Sequence, residues 1–92
     1  MTVSEPIAHP ATEWDWPLDV VRAVLWFFGD SKNGVQPGDF RNRLMLAVSG
    51  ADQENREKLR QAFPELVGAM NEVQYEVGGL ERLIAVSKAA RS

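Results

Sequence analysis

LRQAFPELVGAMNEVQYEVGGLERLI, residues 59–84, decides the fold. Its apolar positions Leu59, Phe63, Leu66, Met70, Val73, Val77, Leu80 and Ile84 follow one another at alternating steps of four and three. That 3.5-residue repeat lays one seam along helical backbone and leaves no room for the strict alternation of a strand. Ala62, Val67, Ala69 and Leu83 widen the seam, which suits a bundle better than a narrow two-stranded coil. Two interruptions divide it. Pro64 cannot donate to the carbonyl of Arg60 and its ring clashes there, so a kink is expected. Gly78 and Gly79 form a weaker joint, since glycine costs about 1 kcal/mol against alanine in a helix interior. The expected elements are a helix over 52–62, a kink at Pro64, a long helix over 64–77 and a last helix over 80–89.

Working back along the chain, Asp52 is placed to cap the helix that leads into the seam, with Glu54 in its first turn. Before it, Asp39 is read as the cap of a helix over 40–48, with Phe40, Leu44, Ala47 and Val48 on its inward face. Gly50 is read as its left-handed stop. The stretch from Gly29 to Gly38, GDSKNGVQPG, is dense in turn residues and reads as a loop. A first helix is expected over 17–28, with Leu18, Val21, Leu25 and Phe28 at helical steps and Val24 beside them. Pro17 would sit in its first turn, capped by Asp15 or Trp16. Val20, Trp26 and Phe27 lie off the stripe, so this helix is greasy on nearly every side and is expected to be covered by several neighbours or by a partner chain.

The resulting architecture is all-α: one domain over 17–92, a small bundle of three to five helices, preceded by a disordered or extended tail over 1–16. A chain of 92 residues holds one core, and 45% hydrophobic content is ordinary for a globular protein. There is no cysteine, so neither a disulfide framework nor a thiolate metal site is expected. The first basic residue is Arg22, and no charged segment followed by an apolar one opens the chain, so no secretory signal is expected. The longest apolar run, Ala23 to Phe28, is far too short to cross a membrane. A cytoplasmic protein is the reading that follows.

Net charge is −3 and unevenly spread. Residues 1–40 hold six acids against Arg22 and Lys32, whereas 41–60 hold five basic residues against three acids. This locally basic middle is not a strong single-sign field. A helix-turn-helix outline nevertheless fits residues 40–62, with Arg56, Lys58 and Arg60 as the contacts to nucleic acid. Asp52, Glu54 and Glu57 interleave with those cations and would repel phosphate, so a solvated face is the preferred reading and DNA binding the alternative.

No chemistry is legible. His9 is the only histidine and falls in the tail, no glycine-rich phosphate loop follows a strand, and Glu72 and Glu76 are spaced as on any exposed helix. No catalytic residue, metal or cofactor is expected. What remains is interaction. Trp14 and Trp16 alternate around Asp15 next to the first helix, either stapling it or anchoring a partner. Together with Val20, Trp26 and Phe27 they are the candidate partner-binding residues. Met70, Val73, Val77, Leu80 and Ile84 either pack inward or form a seam for self-association as a homodimer.

One segment carries a resemblance. Ala51-Asp52 with Asn55-Arg56, then Leu59, Phe63-Pro64 with Leu66-Val67, and Gly79-Leu80-Glu81 resemble a pattern in short proteins of actinobacteria and their bacteriophages, mostly without assigned function. It covers about half the chain and brings no catalytic or ligand residues. The resemblance implies a small phage accessory protein made in the host cytoplasm and acting on a host or phage protein.

Overall fold

The computed structural model describes residues 16–91, with Arg91 described by its backbone alone. Five helices follow one another: α1 (Leu18–Phe27), α2 (Asp39–Gly50), α3 (Gln53–Ala62), α4 (Pro64–Tyr75) and α5 (Gly79–Arg91), with no strand among the described residues. The chain is all-α, as its periodicity requires. Trp14 and His9 lie outside the described residues, as does most of the expected tail.

The core is built on α1 and α4. Val20, Val21, Ala23, Val24 and Leu25 of α1 are buried against Leu66, Val67, Ala69 and Met70 of α4. Met45 and Val48 close it from α2 and Leu83 from α5. α1 packs on α2, α4 and α5, and its contact with α5 is the most extensive between any two helices. The third helix is peripheral, resting chiefly on α4. Val20 is thus part of the core, a correction to its assignment as an off-stripe partner contact. Three packed neighbours make α1 a central helix, and five of its ten residues turn inward.

Local chemistry sets the ends of these helices. Pro17 occupies the cap position of α1 rather than the first turn, and its carbonyl accepts from the Val21 N–H at 3.0 Å. At the far end the Asp30 N–H reaches the Leu25 carbonyl at 2.9 Å and the Gly29 N–H the Trp26 carbonyl at 3.0 Å. This double closure needs a left-handed residue between, and Gly29 supplies it at φ 98°. Asp52 caps α3 as expected, accepting from the Asn55 N–H at 2.8 Å. Asp39 does not cap α2. It is the first helical residue, and its carboxylate takes Arg43 Nε at 2.9 Å instead. Gly50 is likewise helical, and the residue that ends α2 is Ala51 at φ −78°.

The seam read over 59–84 is a sequence of three helices. α3 gives way to α4 at the single residue Phe63, with Pro64 opening the new helix. α4 ends at Tyr75, two residues earlier than expected, and Gly78 turns the chain at φ 75°. That turn resets the helical phase, so α5 centres its buried face on Leu83 and Ser87. Leu80 and Ile84 flank it half-buried. Val77, on the seam by spacing, is 97% exposed, whereas Met70 has no exposed surface. A continuous self-association seam through Met70, Val73, Val77, Leu80 and Ile84 is therefore absent. Gly79 is the tight point: a Cβ there would stand 1.8 Å from the Glu72 carbonyl oxygen. The Glu72 carboxylate reaches over the same elbow to pair with the Arg82 guanidinium.

The loop between α1 and α2 is tied down. Asp30 Oδ1 accepts from the N–H groups of Lys32 and Asn33, and Oδ2 from Asn33 Nδ2. These bonds, led by those from Asn33, hold the Asp30 carboxyl below its ordinary range. The Val35 N–H bonds to the Arg22 carbonyl at 3.0 Å, and buried Ser87 of α5 donates to the Asn33 carbonyl at 3.2 Å.

Candidate functional site

Two surface features stand out from the packed interior, one apolar and one polar. The apolar one begins with Phe40. Its place in the first turn of α2 suggested an inward side chain beside Leu44 and Ala47. The inward face of α2 is instead Met45 and Val48, with Leu44 half-buried and Ala47 exposed. Phe40 is left 70% exposed, which is far from the usual place of a phenylalanine. Its ring lies 6.2 Å from that of Phe63 at a 60° tilt, within the range of favourable aromatic pairs.

Beneath this pair is a hollow of about 190 Å³. Val20 from α1, Leu44 from α2, Ala62 from α3 and Leu66 from α4 join the two phenylalanines in its lining, with Arg41 and Glu65 supplying the polar part. Arg41 is itself held to Asp19 at 3.2 Å, bridging α2 to α1. The walls come from four helices because α3 and α4 meet at Phe63. The single-residue joint brings Ala62 and Leu66 to one place.

No known protein family, curated protein or solved structure matches this chain. Its surface chemistry therefore has to be read from its own side chains.

The polar feature is a groove of about 460 Å³ between α3 and α4. Gln53, Arg56, Glu57 and Arg60 line it from one side, spaced to share a helix face, and Asn71, Tyr75 and Glu76 from the other. Arg60 binds Glu57 through two nitrogens, at 3.0 and 2.7 Å. That guanidinium holds the Glu57 carboxyl below its ordinary range. Arg56 behaves differently. It is 5% exposed, donates from Nη1 to Asn71 Oδ1 at 2.7 Å, and lies with Cζ 5.0 Å from the centre of the Tyr75 ring.

Of the three cations read as nucleic-acid contacts, Arg56 is thus turned inward, a correction also to the solvated-face reading. Lys58 is exposed and pairs with Glu54 at 3.5 Å, and Arg60 is held by Glu57. Arg56 and Arg60, four residues apart, engage different partners.

The predicted partner-binding residues are dispersed. Trp16 packs half-buried against the core, its indole nitrogen 3.6 Å from where a Cβ on Gly68 would stand. Trp26 and Phe27 are half-buried, and Phe27 meets Phe28 edge-on at 5.2 Å. Trp16 belongs to the packed domain rather than to the tail and reaches α4 at Gly68. Among the described residues no group of three His, Cys, Asp or Glu side chains could hold a metal ion. No helix there is long and apolar enough to cross a membrane.

Sequence reasoning missed Phe40 as an exposed residue and Asn71 and Tyr75 as the partners of Arg56. For Phe40 a signal existed: Met45 and Val48 at three-residue spacing offer a second inward face on α2, one that turns Phe40 outward. For Arg56 there was none, because its hydrogen-bond partner lies 15 residues away on another helix.

Proposed function

We propose that this protein is a non-enzymatic interaction module that grips another polypeptide through the Phe40 hollow. The observation that carries this reading is the exposure of Phe40 above an apolar concavity with Phe63 alongside. Aromatic side chains of this kind concentrate binding energy when a partner completes their burial. A partner helix or loop offering one or two apolar side chains fits a hollow of this size. Val20 contributes from below. Trp14 stays a proposed partner contact on this reading, and half-buried Trp26 and Phe27 add further apolar surface.

The setting proposed is that of a small phage-encoded accessory protein acting on a host or phage protein in the host cytoplasm. Its support is the resemblance carried by residues between Ala51 and Glu81. A second copy of the chain is the simplest polypeptide able to fill the hollow.

The decisive experiment compares wild type with Phe40→Ser and Leu46→Ser. Both residues are exposed, so both variants are expected to fold. Light scattering after size-exclusion chromatography reads self-association, and capture from an actinobacterial lysate reads a different partner. Phe40→Ser should abolish whichever assembly the wild type forms, and Leu46→Ser should retain it. A monomer that captures nothing, or an assembly indifferent to Phe40→Ser, ends the proposal.

A further inference from the structure

Arg56 poses a problem that the apolar hollow does not address. Its guanidinium is withdrawn from water, and among the described residues no carboxylate forms an ion pair with it. Its Nε is buried and lacks any hydrogen-bond partner. Moving a cation of this size out of water is costly, and one amide oxygen and one ring face offset only part of that cost. The neighbouring Glu57 carboxylate is already occupied by both nitrogens of Arg60. Buried charges are ordinarily paired, so the missing element is an anion.

We infer that the groove between α3 and α4 is a carboxylate-binding site, with Arg56 as its charge and Asn71 and Tyr75 fixing the guanidinium in place. The groove is concave, polar and open to the surface, and Gln53 at its edge supplies a further amide donor. Its lining also sets the valence of the ligand. Arg60 and Glu57 neutralise each other at the groove wall, which leaves Arg56 balanced against Glu76. The cost of drawing an anion out of water rises with the square of its charge, so a single carboxylate is favoured over a dianion such as phosphate. The ligand class is a monoanionic carboxylate, such as an acidic side chain or the end of a peptide chain. The site stands apart from the Phe40 hollow and does not depend on the function proposed for it.

Acetate is the probe, used on the full chain at constant ionic strength with chloride as the reference anion. Tm should rise with acetate and saturate, with Kd on the order of millimolar for so small a ligand. At ten times that concentration the rise is expected to be about 5–10 °C for a domain of this size. Arg56→Met, which fills similar volume without charge, should lose the acetate response and match or exceed the wild-type Tm in chloride. Phe40→Ser should keep the response. In the wild type, the Nε–H resonance of Arg56 should shift along the same saturation curve, a readout that needs no variant. An unmoved resonance, an equal acetate response in Arg56→Met, or a stronger response to inorganic phosphate than to acetate would each overturn the assignment.

Discussion

Helices α1 and α3 are each ten residues long, yet five buried apolar residues anchor α1, and the one buried residue of α3 is Arg56. α1 has no side-chain cap and no basic residue in its last turn. It holds because burying each Val or Leu contributes about 1.5–3 kcal/mol. The opposite means serve α3: the Asp52 cap, the Glu54–Lys58 and Glu57–Arg60 pairs along its surface, and a lean on α4 through half-buried Leu59 and Arg56. Helices held by packing share the fate of the whole domain. Those held by caps and surface pairs open on their own.

The largest effect should come from the core side of this contrast. Leu25→Ala removes a fully buried side chain and should lower stability by about 2–5 kcal/mol, read by denaturant unfolding as one cooperative loss. Gly79→Ala follows, since its methyl group collides with backbone of α4 and must push α5 from its seat on α1. A loss of about 3 kcal/mol is expected, with α1 and α5 amides losing hydrogen-exchange protection together. On the peripheral side Asp52→Ala should cost about 1 kcal/mol, with faster exchange confined to α3. Equal acceleration in α1 would erase the distinction between the two helices.

Acid tests the same division. Because Arg60 lowers the Glu57 pKa in the folded state, the unfolded chain binds the proton more readily, and stability is lost as pH falls. The contribution is complete above the ordinary glutamate value of about 4.3 and fades below it. Protection factors in α3, taken against the intrinsic exchange rate at each pH, should therefore fall in acid before those in α1, and Glu57→Gln should remove the difference. The smallest effect belongs to Lys58→Ala, which breaks an exposed i,i+4 pair and should cost about 0.2–0.5 kcal/mol, less in high salt.

Much of this division is written in local residues. Asp52, Pro64 and the Gly78-Gly79 pair act on their own neighbourhoods, so the limits of α3, α4 and α5 were legible to within two residues or so. The face of α2 was not. Its sequence carries two overlapping apolar stripes, one through Phe40 and Leu44 and one through Met45 and Val48, and only packing with α1 and α4 selects between them. Val77 misled because a spacing rule continues across a break that the backbone does not. Arg56 was the least legible residue of all. Nothing beside it in the chain distinguishes it from Lys58 and Arg60, and its burial depends on Asn71 and Tyr75.

The pairing of α1 with α5 has a consequence for synthesis. The greasiest helix precedes the helix it packs on most broadly by about fifty residues. At ordinary elongation rates of about 5–20 residues per second, α1 waits roughly 3–10 s with much of its apolar surface uncovered. Whatever shelters a nascent chain therefore has its principal work here at residues 20–25, before the last helix emerges to take over.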